Sequence, residues 1–214
     1  MKRILYTIGL LWACAMTQAQ TLLPPVWQGS ADVQYSSRTI AYLPPTRIVW
    51  QETTGSSSIE GIDKLLLPGN GQAELVGGKE CVIRKRPDGK VSVLLDFGRE
   101  LQGGIQIVTG QSSRKEAKVR IRFGESVSEA MCDITPENGA TNDHAIRDFH
   151  FTLPWLGVAE IGNSGFRFVR IDVEEPDIDL LLKEVRATFG YRDIPYLGSF
   201  KSDNDRLNDI WMTG

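Results

Sequence analysis

The chain has 214 residues, 41% of them hydrophobic and 24% charged, with 24 Lys and Arg against 27 Asp and Glu and a formal charge of −3. Mild acidity without a basic patch argues against a nucleic-acid partner. The length is enough to bury one good core, and all-β sandwiches of this size are commonly single domains.

Residues 1–19 begin with Lys2 and Arg3, continue through an apolar stretch from Ile4 to Met16, and end in Thr17-Gln18-Ala19. A basic start, a short apolar run and small residues before a cut site form a secretory signal peptide. The run is too short for a stable transmembrane span, so the expected location is periplasmic or secreted. The alternative is an outer-membrane lipoprotein carried by a lipidated Cys14. Losing Lys2 and Arg3 takes the formal charge from −3 to −5. Cys81 and Cys132 then remain; an oxidising compartment lets them pair, but two cysteines this far apart serve equally as separate buried thiols.

From residue 20 to 45 two Pro-Pro pairs, Pro24-Pro25 and Pro44-Pro45, interrupt a stretch with no periodicity, which predicts an extended segment on a surface. In "ECVIRKRPDGKVSVLLDF" the turn residues Pro87-Asp88-Gly89 lie between a pair of strand-length runs, predicting an antiparallel hairpin of 80–86 with 90–97. Ile105 and Ile107 flank Gln106, and Val119, Ile121 and Phe123 alternate with Lys118, Arg120 and Arg122, the pattern of strands with one wet face. "FHFTL" (149–153), "FRFVRIDV" (166–173) and "DLLLKEVRATFGY" (179–191) continue the series. Helical periodicity appears only near residue 203, where Ser202 or Asp203 can cap a helix that aligns Leu207, Ile210 and Trp211. The expected fold is therefore all-β: an antiparallel, jelly-roll-like sandwich over 46–192, then a linker over 193–202 and the start of a helical domain over 203–214.

Few residues point to chemistry. Asp96-Phe97-Gly98 spells a kinase metal-binding tripeptide, but no companion motif is present; it reads as a strand end with Phe97 inward and Gly98 turning the chain. The stretch 132–150 offers oxygens from Asp133, Glu137, Asn138, Asn142, Asp143 and Asp148. Calcium takes roughly six to eight such ligands and is the one cofactor this set suits. The spacing matches no EF-hand loop, and polar loops of this kind usually bond to themselves, so the expectation is no metal and no cofactor. His144 and His150 lack zinc-site spacing. Glu125, Asp143 or Asp148 could supply an acid–base carboxylate, but nothing in the sequence sets a second acid across a pocket from Glu125. Lys118, Arg120 and Arg122 read as a solvated face paired with cross-strand acids. Trp155, in the turn "LPWLG", is the candidate carbohydrate-binding residue, since an exposed indole stacks on a sugar ring; the competing role is a lid on the core or a contact to a neighbouring domain.

The order "LPPTRIVWQ", "LLDFGRELQGGIQI", "VRIRFGES", "ATNDHAIRDFHFTLP", "GFRFVRIDV" and "GYRDIPYLGSFKSDNDRLNDIW" resembles the region before the catalytic barrel of bacterial α-L-rhamnosidase-type glycoside hydrolases, from about residue 43 to 214. The resemblance implies an accessory β-sandwich docked on a C-terminal α/α barrel, whose inward carboxylates hydrolyse a terminal sugar with inversion. It implies carbohydrate as the partner. None of those carboxylates maps onto residues 1–214, so the chain is expected to contribute no catalytic residue. The rival is a free-standing carbohydrate-binding or surface module.

Overall fold

The structure, a computed structural model, describes residues 34–35, 39–75, 78, 80–113, 116–135, 137, 146–192 and 198–213. Period-2 alternation of buried and half-exposed side chains marks its strands, as in Thr39–Leu43 and Cys81–Lys85, where every second residue is buried. The strands are β1 (Gln34–Tyr35), β2 (Thr39–Leu43), β3 (Arg47–Thr53), β4 (Ser58–Glu60), β5 (Cys81–Lys85), β6 (Val91–Thr109), β7 (Glu116–Gly124), β8 (Asp148–Pro154), β9 (Gly157–Val173) and β10 (Ile178–Tyr191). A short helix α1 (Val127–Met131) follows β7, and α2 (Asp205–Thr213) lies after the last strand.

All pairings are antiparallel and form a β-sandwich. The first half of β6 lies between β3 and β9, and β9 continues to β7 and β8. The second half of β6 lies between β9 and β10, and β10 is flanked on its other edge by β5 and β2. Strands β6 and β9 thus serve both layers. They bend where their pairing slips. Between Asp96 and Leu101, four residues of β6 face Arg167 alone, and between Gly103 and Ile105, Gly104 faces both Gly162 and Asn163 of β9. Such bulges kink a strand and raise its twist.

One core fills the space between the layers, with Val93, Leu95, Phe97, Val119, Ile121 and Phe166 meeting Ile105, Ile107, Leu180, Leu182 and Val185. Phe97 is inward and Gly98 has φ +84, but the expected strand end is a bulge within β6, which runs on to Thr109. A smaller cluster lies outside the first layer, where Ala130 and Met131 of α1 and Trp50 of β3 cover Leu94 and Phe168. Ser126 caps α1 by accepting from the Glu129 N–H at 3.1 Å, and the Glu129 carboxylate accepts from the Glu125 N–H at 2.8 Å, a reciprocal capping arrangement.

The expected hairpin of 80–86 with 90–97 does not form. The turn itself exists, with the Gly89 N–H donating to the Arg86 carbonyl at 3.1 Å. Val91–Asp96, however, already has β3 on one edge and β9 on the other, so β5 finds no free edge there and pairs with β10 and β4. The turn's Asp88 instead holds the neighbouring loop, accepting from the Ser56 N–H and hydroxyl at 3.0 and 2.7 Å. Residues 39–43, expected in an extended surface segment, are strand β2 with Ala41 and Leu43 buried. At α2 the cap is Asn204, whose Oδ1 accepts from the Arg206 and Leu207 N–H groups at 3.0 and 3.4 Å. Ser202 and Asp203 do not fill that role. Cys81 and Cys132 are separate free thiols.

Across the outer face of the second layer lies the loop 68–75. The Gly71 N–H donates to Glu184 at 3.0 Å, and Lys183 reaches Glu74 at 2.6 Å and the Gln72 carbonyl at 2.7 Å. Beneath it the Arg186 guanidinium stacks 4.1 Å over the Tyr42 ring and donates to Gln106, which donates to Glu160. Arg186 and Gln106 in this row are buried yet connected, as burial demands, and the row ends at the exposed Glu160.

Candidate functional site

Three places in the sandwich carry side chains whose chemistry asks for an explanation. The first is the β8–β9 turn. Trp155 is 41% exposed there, beside the exposed Val158. The turn is fixed from below: the Ser112 N–H donates to the Trp155 carbonyl at 3.0 Å, and the Thr109 hydroxyl donates to the Pro154 carbonyl at 2.9 Å. An indole half out of water on a pinned turn presents a flat apolar face with a polar edge, which suits the C–H face of a sugar.

The second is an open cavity of about 550 Å³ at the second bulge, lined by Gln102, Ile146, Phe149 and the run Gly162 to Gly165. Gly162 has φ +86, and a Cβ there would stand 2.5 Å from the Phe123 ring, so only glycine lets β9 turn this close to the core. Gly165 differs. A Cβ at that position would meet only Glu100 and Glu125, each through Oε1 at 3.4 Å. The structure therefore supplies the second acid that the sequence could not set beside Glu125: it is Glu100, from the first bulge. Both are exposed to solvent. Trp155 lies elsewhere, about eight residues from Gly162–Gly165 along β9, or roughly 25 Å at strand spacing.

The third comprises two buried ionic hubs, and these are structural. Asp96 is 1% exposed and accepts from Arg167, from Arg47 at 2.9 Å and from the Gly98 N–H at 2.7 Å. Burial pushes its pKa up, but the hydrogen bonds from Arg167, Gly98 and Arg47 outweigh that and hold it below the usual carboxylate range. Asp172 is likewise raised by burial and lowered further by Ser92, Arg122 and Arg170, with a depressed value as the result. The expected solvated stripe on β7 is solvated only at Lys118. Arg122 is buried, bound to Asp133 and Asp172 at 2.9 Å each, because α1 and the chain after it fold over that face. Arg120 does pair across strands, with both oxygens of Asp148 at 2.8 and 2.6 Å.

Those pairs also bear on the calcium expectation, since guanidinium groups occupy the Asp133 and Asp148 oxygens. Among the described residues no group of three or more His, Cys, Asp or Glu side chains is placed to hold a metal. Asn138, Asn142, Asp143 and His144 lie outside the described residues. His150 sits at the surface with Nδ1 2.9 Å from Glu174. Among the described residues no helix is long and apolar enough to cross a membrane.

No protein-family profile and no curated protein matches the sequence. Among solved structures, a rhamnosidase from Klebsiella oxytoca with rhamnose bound is similar at TM-score 0.51 and 15% identity, over 81% of this chain and 34% of that one. A GH78 family rhamnosidase of Bacillus sp. GL1 is similar at TM-score 0.48 and 19% identity, over 69% of this chain and 14% of that one. A Streptococcus pneumoniae fucose binding module is similar at TM-score 0.43 and 10% identity, over 73% of this chain and 99% of that one. The chain spans about a third of the length of the Klebsiella enzyme. At 15% identity the likeness to the Klebsiella enzyme is one of fold, a β-sandwich.

Proposed function

We propose that this chain is the accessory β-sandwich of an exported, rhamnosidase-like glycoside hydrolase, whose α/α barrel carries out the hydrolysis of terminal rhamnose from polysaccharides or glycosides. The sandwich supports that barrel and contacts the saccharide through Trp155. The observation that carries the reading is a sandwich followed by an amphipathic helix, α2, with Leu207, Ile210 and Trp211 all exposed; a barrel is the partner that would cover such a face. The order of sequence motifs and the likeness in fold to the Klebsiella enzyme support it. Catalysis is assigned to the barrel because Glu100 and Glu125, the carboxylates that meet beside Gly165, are both solvent-exposed. Export follows from the signal-peptide pattern of residues 1–19.

The test is the denatured mass of the native protein in its source cells, detected with an antibody against the sandwich. A species several times heavier than 23.8 kDa supports the accessory role. A species near the mass of the chain from Gln20 overturns it and leaves a free-standing carbohydrate-binding module, the reading that the exposure of Trp155 on a pinned turn favours.

A further inference from the structure

We propose that residues 67–75 form a strap that swings away from the second layer while the sandwich stays folded, uncovering Tyr42, Glu184 and Arg186. Two sets of contacts hold the strap, and they are separable. The first fixes its ends. Leu65, in the short 3-10 turn Ile62–Leu66 just before the strap, is 1% exposed in the core. Lys64 Nζ donates to the Glu80 carbonyl at 2.9 Å, which ties the chain before the strap to the chain after it. Close-set ends of this kind mark Ω-type loops.

The second set holds the body of the strap, and it is polar. Two consecutive residues of β10 supply it. Lys183 directs its ammonium to Asn70 Oδ1 at 3.2 Å, the Gln72 carbonyl at 2.7 Å and Glu74 at 2.6 Å, and both Glu184 oxygens accept from the Gly71 N–H, at 3.0 and 3.2 Å. No side chain of 67–75 is buried, and Leu67 and Leu75 point into water. Bare backbone meets the sheet at Gly69 and Gly71, where a Cβ would stand 2.0 Å from the Glu184 carboxylate and 1.8 Å from Arg186. Lifting the strap therefore forfeits little burial of its own apolar side chains, and water replaces the polar partners it leaves.

The face beneath does not depend on the strap. Arg186 keeps Gln106 at 2.8 Å, the Tyr42 ring at 4.1 Å and Glu184 at 3.6 Å, and Gln106 keeps Glu160 at 2.9 Å. Opening also returns the buried Glu184 and Arg186 to solvent, which relieves the desolvation of both charges. Segments held in this way open at free energies well below that of global unfolding.

Two residue-resolved measurements on the intact chain test this: hydrogen exchange at the Gly71 amide by NMR, and labelling of Arg186 by phenylglyoxal, read by peptide mass. Gly71 should exchange roughly a hundredfold or more faster than the amides of 91–96, and Arg186 should label under native conditions. Lys183→Met should raise both rates by about tenfold, the scale of a lost charged hydrogen bond. Glu74→Gln, at an exposed position, should raise both by about two- to fivefold and leave the 91–96 amides unmoved. Gly71 exchange at the rate of the 91–96 amides overturns the proposal, as does Arg186 labelling only in denaturant. So does Gly71 exchange that speeds in Glu74→Gln without Arg186 labelling following it.

Discussion

Arg167 grips Asp96 with two parallel hydrogen bonds, Nε to Oδ1 at 2.8 Å and Nη2 to Oδ2 at 3.0 Å, at the point where β6 and β9 lose their register. The residue that interrupts the pairing on one strand thus neutralises the acid that ends it on the other. Fork-on-fork geometry of this kind is stronger than a single ionic contact.

Removing that acid should be costly. Asp96→Asn replaces the buried acceptor of Arg47, Arg167 and the Gly98 N–H with a neutral amide; because both arginines reach solvent, the expected loss is about 1.5 to 3 kcal/mol, the scale of a charged hydrogen bond. The effect depends on pH. The native pKa of Asp96 lies below the unfolded value of about 3.9, so the unfolded state binds more protons as acid is added. The stabilisation is complete above roughly pH 5 and is lost as pH falls below about 4 through the native value. Urea denaturation should show wild type well above the variant at pH 7, with the gap narrowing as pH falls below about 4.

Gly71→Ala should loosen the loop 68–75. Gly71 has φ +70, and a Cβ there would stand 1.8 Å from Arg186 Nη2, so the substitution strains the backbone and displaces a buried guanidinium. A loss of about 1 to 3 kcal/mol is expected, with new proteolytic cleavage within 68–75. Gly190→Ala is the control: its nearest neighbour would be the Gln102 carbonyl oxygen at 3.9 Å, and its melting temperature should barely move.

Trp155→Ala should separate stability from binding. The turn's own backbone carbonyls are held by the Ser112 N–H and the Thr109 hydroxyl, contacts the substitution leaves intact, so thermal unfolding should shift little. Retardation on polysaccharide gels should disappear. Retention of gel binding would remove Trp155 from the saccharide surface.

The two thiols should react in sequence. Cys81 is fully buried in β5, and burial pushes its pKa up to about 12 against a smaller opposing pull from Lys64. Since the thiolate is the nucleophile, Cys81 should resist a thiol reagent at pH 8 until the chain unfolds. Half-exposed Cys132 should label in the native state. On the chain from Gln20, one thiol should therefore react natively and two in denaturant.

The strands were legible because alternation of side chains is local. So was the inward Phe97, whereas Trp155 stayed open between an exposed indole and a lid on the core. The hairpin was misread for the opposite reason: Pro87-Asp88-Gly89 specifies a turn, but partners for Val91–Asp96 are chosen by β3 and β9, which come from elsewhere in the chain. The continuity of β6 through Gly98, Gly103 and Gly104 was hidden because glycines inside a strand signal breaks and bulges alike. Helix α1 was missed, although Ser126 and Glu129 stand at the capping-box spacing that could have found it. The meeting of Glu100 with Glu125 could not be read, because two bulges and a strand crossing bring them together. Nor could the burial of Arg122, which depends on where α1 comes to rest.

The sharing of β6 and β9 between both layers makes unfolding indivisible. In a sandwich of two independent sheets, one face can open while the other persists; here every partner of the front half of β6 is tied by continuous backbone to the rear. Their ladder also joins residues 48 apart at Thr109 with Gly157 and 80 apart at Ser92 with Asp172. Such long loops must close before either sheet gains its central pair, which slows folding. Amides in 91–96 and 105–109 should then exchange with deuterium as one cooperative unit, released only by global unfolding.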